Sequence, residues 1–311
     1  MSYSLSLGGL AGGNLFTAGV LKAINDNNIE KPISITAVSG AIIVTRAYAE
    51  GNLAEFIKKF GLTRPDTDLG KILMLMQLSM KRGIVLPSVP TTIDFVSDGL
   101  VKTLTETMLP VKLMNFLHTD EDHKKTAETL NNMHIPFATN AYDPITGIEY
   151  VYCNPLFKVG KNTDTRKYVP LTTDGIKRAL WLSHYGYEGA TAIDGAYVRQ
   201  VMISEHTEFK PDKIIIATPQ CLSRKAFPKN AFEQKDFETE MWMNCSIREQ
   251  LAGIDLINNQ IKHGILKTSK YKHINILKIN AETDQGFFDY FLDYIDYVTQ
   301  GESAMKGIDI D

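Results

Sequence analysis

Ser39 stands in Ile33-Ser34-Ile35-Thr36-Ala37-Val38-Ser39-Gly40-Ala41-Ile42-Ile43, where an apolar strand-like run gives way to small residues and then to helix formers. That is how a nucleophile elbow reads: a serine on a sharp strand-to-helix turn, its hydroxyl standing clear of the sheet. The strict elbow is Gly-x-Ser-x-Gly. Here Ala37 and Ala41 take the flanking positions and Gly40 follows the serine directly. The competing reading makes Ser39 a helix N-cap.

Two other groups fit the same chemistry. Gly8, Gly9, Gly12 and Gly13 follow a first strand and lead into a helix. Glycine backbones there leave N–H groups free to converge, helped by the positive end of the helix, on one negatively charged point. On spacing alone this loop is an oxyanion hole, a phosphate cradle or a close-packing turn. Neither Gly-x-Gly-x-x-Gly nor a P-loop Gly-Lys-Ser/Thr is present. In Asp194-Gly195-Ala196, an aspartate ending a short strand can serve a serine as general base. The alternative is an Asp-Gly hairpin turn.

None of the seven histidines, His118, His123, His134, His184, His206, His263 and His273, has a context that marks it as a base. His184 is nearest to Asp194 in sequence. No His/Asp/Glu grouping has metal-ligand spacing, and Asp120, Asp122 and His123 read as a solvated polar stretch.

The positioning elements follow from pattern. Tyr3–Leu7 alternates as a strand, Leu15–Asn25 reads as a helix, Ile33–Val38 as a strand and Ala41–Ala49 as a helix. This is a parallel βαβα start. A helical insertion with a methionine-rich run, Leu73-Met74-Leu75-Met76, is expected at about 63–132, over one end of the sheet. Strands return at Ile135–Asn140 and Ile148–Cys153 around the turn Asp143-Pro144-Ile145-Thr146-Gly147. A helix is expected at Ile176–Leu182, strands at Lys213–Ala217 and Ile274–Ile279, and helices near 234–263. Phe287, Phe291, Tyr294 and Val298 fall on one face of a last helix. With no convincing linker, the expectation is one α/β domain over residues 1–311.

The bulk numbers narrow the function. The 311 residues are 44% hydrophobic, enough for a packed core. A net charge of -3 supplies no basic field for nucleic acid. Cys153, Cys221 and Cys245 are scattered and odd in number, which suggests a reducing compartment. Met1-Ser2-Tyr3-Ser4 has no basic region before an apolar run, so no cleavable signal peptide is expected. No apolar run approaches the ~18 residues of a membrane span. The protein is expected in the cytoplasm, or exported without such a signal, with at most peripheral membrane contact.

Together these features resemble the patatin-like phospholipases. The residues that carry the likeness are Leu5-Ser6-Leu7-Gly8-Gly9, then Gly19-Val20-Leu21-Lys22-Ala23-Ile24, Ser39, the segments Ile135–Asp143 and Thr146–Glu149, Lys177-Arg178-Ala179, and Asp194-Gly195-Ala196. The resemblance runs from residue 3 to about 205, and only weakly through the methionine-rich segment. It implies a three-layer α/β sandwich with a central, mostly parallel sheet. It also implies a Ser39–Asp194 dyad without histidine, an oxyanion hole from Gly8, Gly9, Gly12 and Gly13, and support from Gly40 and Gly195. The implied reaction is hydrolysis of phospholipid or other acyl esters through an acyl-enzyme, with no metal or organic cofactor. Two departures stand out: the loop Gly8-Gly9-Leu10-Ala11-Gly12-Gly13-Asn14 lacks the family's basic residue, and the elbow's glycines are alanines. They motivate the alternative of a weak or inactive patatin-fold protein that binds lipid or a partner. A third reading, a phosphate- or nucleotide-binding α/β protein, needs only the glycine loop.

Overall fold

Tyr3–Leu7 alternates tyrosine or leucine with serine, yet all five residues are buried. A strand covered on both faces belongs inside a layered sheet. The computed structural model describes residues 1–9, 14–27, 29–63, 118–158, 160–181, 189–220, 223, 227, 231–268, 270–281 and 294–308. Along the chain the strands are β1 (Tyr3–Leu7), β2 (Ile35–Ala37), β3 (Phe137–Asp143), β4 (Ile148–Cys153), β5 (Arg166–Pro170), β6 (Ile193–Asp194), β7 (Lys213–Thr218) and β8 (Asn275–Asn280). The helices are α1 (Asn14–Asp26), α2 (Ala41–Ala49), α3 (Leu53–Phe60), α4 (Asp120–Asn131), α5 (Thr173–Ala179), α6 (Ala231–Lys262) and α7 (Asp296–Lys306).

The strand order is β5-β4-β3-β2-β1-β7-β8, with β6 also paired to β3. Pairing is parallel except at β3–β4 and β3–β6. The fold is therefore an α/β three-layer sandwich around a mostly parallel sheet, as expected. On one face, Leu5, Leu7, Ile35 and Ala37 pack with apolar residues of α1, α2, α4, α5 and α7. On the other, Ile214 and Ile216 of β7 pack with Ile247 and Ile254 of α6 and with Val201 and Ile203.

Helices α1 and α7 approach closely because each is glycine at the crossing. A methyl group on Gly19 would overlap the Val298 carbonyl, and one on Gly301 would overlap the Phe16 carbonyl.

The serines of β1 point the other way, into a buried polar seam. Ser4 Oγ meets Ser34 Oγ at 2.7 Å. His206 joins Ser34 through Nδ1 at 2.8 Å and Thr36 through Nε2 at 2.9 Å. Ser6 Oγ accepts from Met202 N–H at 3.2 Å. Burial holds the His206 pKa down at about 4, so its ring is a neutral bridge at ordinary pH.

Several bounds differ from expectation. β5 and α3 were not anticipated, and the helices expected near 234–263 are one continuous α6. The last helix starts only at Asp296; Tyr294 and Val298 are buried, while Phe287 and Phe291 lie outside the described residues. So do residues 64 to 117 of the insertion expected at about 63–132, with its methionine-rich run. Its final part is α4, entered through a capping box between Thr119 and Asp122. His123, expected in solvent, is buried against this layer.

Candidate active site

Strand β2 stops at Ala37, and the chain turns sharply at Ser39. Ser39 has φ 56, and Lys210 is the other non-glycine residue at positive φ among those described. The left-handed conformation costs a residue with a Cβ roughly 1–2 kcal/mol, so surrounding structure must enforce it. That enforcement is visible. Val38 N–H donates to the Leu7 carbonyl at 3.1 Å, holding the end of β2 against β1. Ala41 N–H and Ile42 N–H then donate to the Val38 and Ser39 carbonyls, and α2 begins at once. The N-cap position is Gly40, without a side-chain cap, so Ser39 is an elbow residue and not the cap of α2.

Glycine at 9 and 40 lets this turn close. A methyl on Gly9 would overlap the Val38 carbonyl and crowd Ser39 Cβ; one on Gly40 would run into the Asn14 side chain. Asn14 lies beside the elbow only because α1 meets α2, so no local spacing marks it.

Asp194 reaches the same point by register. Thr36 of β2 pairs with Ala138 of β3, so a continued β2 would set Ser39 opposite Ala141. The chain bends away there instead, and β6 fills the vacated edge with Asp194 opposite Ala141. Both residues are buried, at 4% and 1% exposure. Asp194 N–H donates to the Trp181 carbonyl at 2.9 Å, and its Oδ1 accepts from Ala196 N–H at 2.8 Å. Oδ2 has no hydrogen-bond partner among the described residues. Gly195 is not left-handed and opens a short 3-10 turn to Tyr197, so the Asp-Gly pair makes no primed hairpin turn.

Burial pushes the Asp194 pKa up to about 7, and the nearby Ser39 hydroxyl and the Ala196 N–H only partly oppose it. The Ser39 hydroxyl acts on this carboxyl without closing a hydrogen bond onto Oδ2. Such bonds often shorten only when substrate binds. A carboxyl that titrates near neutrality is suited to taking a proton and returning it.

The glycine loop divides. Gly8 N–H donates to the Ala217 carbonyl at 2.8 Å, extending the β1–β7 ladder, so it is not the oxyanion donor the sequence suggested. Gly9 N–H and Gly40 N–H have no acceptor among the described residues. The Gly9 carbonyl accepts from Gln200 Nε2 at 3.5 Å, and Gln220 Nε2 in turn donates to Gln200 Oε1. Gly12 and Gly13 lie outside the described residues, as does His184.

Behind Asp194 lies a cluster that the sequence did not announce. Arg199 grips Glu205 with two N–H groups, at 2.9 and 2.8 Å, and Glu149 through Nε at 2.8 Å. Arg166 holds the other Glu149 oxygen at 2.8 Å. Asn140 Nδ2 joins Glu149 at 2.8 Å and the Gly195 carbonyl at 3.4 Å. These residues come from β3, β4, β5 and the segment after Asp194, so no local spacing marks them.

No histidine among the described residues bonds to Ser39 or Asp194; His206 is occupied by Ser34 and Thr36. No three metal-binding side chains gather among the described residues, and no helix there is long and apolar enough to cross a membrane.

No family model matches the sequence, and no curated protein matches it significantly. Among solved structures, VipD from Legionella pneumophila is similar over 98% of this chain and 66% of that one, at 12% identity and a TM-score of 0.34. This chain thus spans just under two thirds of that protein's length.

Proposed function

We propose that the chain is a serine acyl hydrolase of the patatin-like type, acting on phospholipids or lysophospholipids through Ser39 and Asp194. The observation that carries this is one juxtaposition. A buried serine on a left-handed elbow turns away where β2 leaves the β3 edge, and the place is taken by a buried aspartate with no cation and one unpartnered oxygen among the described residues. The lipid class of substrate rests on the motif resemblance.

In the reaction, ionised Asp194 takes the proton from Ser39 Oγ as that oxygen attacks the acyl carbon. The N–H groups of Gly9 and Gly40 are the donors that would meet the oxyanion. Asp194 then returns the proton to the departing alkoxide, leaving an acyl-Ser39 ester. Water, activated by the same carboxylate, releases the acid. The loop without a basic residue and the alanines at 37 and 41 of the elbow favour a second reading, a lipid-binding protein of weak activity.

A fluorophosphonate probe and acyl-ester turnover decide between them. The expected outcome is labelling of Ser39 in the native protein and loss of turnover by at least ~10,000-fold in Ser39→Ala. Turnover that survives Ser39→Ala would sink the hydrolase proposal, and a folded protein that never labels would leave the binding role.

A further inference from the structure

The cluster behind Asp194 has a geometry that ordinary core packing does not require. Arg199 is held at both ends: its backbone N–H donates to the Gly195 carbonyl at 2.8 Å, and its guanidinium is clamped between Glu149 and Glu205. Gly195 is pressed against Asn140 so closely that a methyl there would overlap the amide. The turn that follows Asp194 is therefore fixed by Arg199 from one side and Asn140 from the other. Asn140 itself is tied to Glu149.

The cluster is also balanced. Arg199 and Arg166 face Glu149 and Glu205, and Tyr168 hydroxyl closes onto Glu205 at 3.3 Å. Around Asp194 itself stand the Ser39 hydroxyl, Ala141 and Asn140 of β3, the Trp181 carbonyl and Ala196 N–H, none of them charged. Of the cluster's four charged residues, Arg199 bonds the turn through its backbone N–H and Glu149 reaches it through Asn140; Arg166 and Glu205 complete the set, and the four charges cancel.

We propose that Arg199 is a positioning residue for Asp194, and that the neutral Arg199–Glu149–Glu205–Arg166 cluster anchors the base while imposing no net charge on it. An unbalanced arginine would hold the Asp194 carboxyl ionised but weakly basic. A surface anchor would let the turn drift from Ser39. Pairing buried Arg199 and partly exposed Arg166 with two buried glutamates supplies rigidity without that electrostatic side effect. This inference rests on the Ser39–Asp194 reading.

The test is the pH dependence of fluorophosphonate labelling at Ser39, with kcat and KM on p-nitrophenyl butyrate. Glu149→Gln leaves an extra positive charge and moves the acid limb to lower pH by at least ~0.5 unit; Arg199→Met leaves an extra negative charge and moves it higher. Arg166→Gln, at a partly exposed side chain, moves it higher by less and keeps the test available if Arg199→Met does not fold. Arg199→Lys keeps the charge but not the planar fork. Its limb stays in place while kcat falls about tenfold at unchanged KM. Limbs that do not move in folded Glu149→Gln and Arg166→Gln, or wild-type kcat in Arg199→Lys, overturn the inference. A wild-type protein whose Ser39 never labels overturns the dyad reading first, and this inference with it.

Discussion

Asp194 and Glu205 are both buried carboxyls in one short stretch of chain, yet their environments are opposite. Burial pushes each pKa upward. At Asp194 little opposes it, and the group titrates at about 7. At Glu205 the arginines Arg199 and Arg166 outweigh burial and bring it to about 2. Glu205 is anchored by several charge-assisted hydrogen bonds. The Asp194 side chain has one firm bond, from Ala196 N–H, and its other oxygen has no partner among the described residues. The same fold thus compensates one buried carboxyl fully and leaves its neighbour uncompensated; under the proposed dyad, stability rests with Glu205 and proton transfer with Asp194.

Substitution should separate the two sharply. Asp194→Asn is expected to lower acyl-ester turnover ~1,000-fold, measured in steady state, and to raise stability at pH 8 by removing an unpaired buried charge. Glu205→Gln leaves Arg199 and Arg166 facing Glu149 alone and should cost about 3–5 kcal/mol in urea unfolding. If Asp194→Asn were the more destabilising of the two, the contrast would collapse.

Titration sharpens the same contrast. Asp194 holds its proton in the folded state up to about pH 7, whereas the unfolded chain releases it near 3.8. The folded state binds more protons across that window, so this group's contribution to stability is largest below pH 3.8 and declines towards pH 7. Glu205 runs the other way: its contribution is present above pH 4.5 and is lost as pH falls towards about 2. Stability measured from pH 4 to 8 should therefore fall less steeply, or rise, in Asp194→Asn relative to wild type. With Asp194 as the proposed base, turnover should climb through about pH 7.

The smallest expected effect lies at the elbow. Ser39→Gly removes the Cβ that makes φ 56 costly and should stabilise the fold by about 1 kcal/mol, while abolishing labelling. A loss of stability would mean that the turn is not strained.

Where local pattern carries the information, the chain could be read directly. β1, α2 and β4 fall where alternation and helix-forming runs place them, and Asp143–Gly147 makes its turn with Gly147 at φ 70. Strand β5 escaped because Arg166-Lys167-Tyr168-Val169-Pro170 has no buried alternation; it is a half-exposed edge strand. Ser39 and Asp194 stood out because each follows a strand and precedes a small residue. Gly8 was misread because its N–H is taken by Ala217, a residue 209 positions away in the ladder to β7.

By itself the sequence determined the βαβα start, the elbow serine and the candidate aspartate, since these depend on short-range periodicity and on small residues at tight turns. Only the tertiary structure decided that β6 takes the place β2 abandons, which sets Asp194 beside Ser39. It alone also gathered Asn140, Glu149, Arg166, Arg199 and Glu205 behind them. Strand register and buried charge pairing join residues far apart in the chain, and no local spacing encodes that.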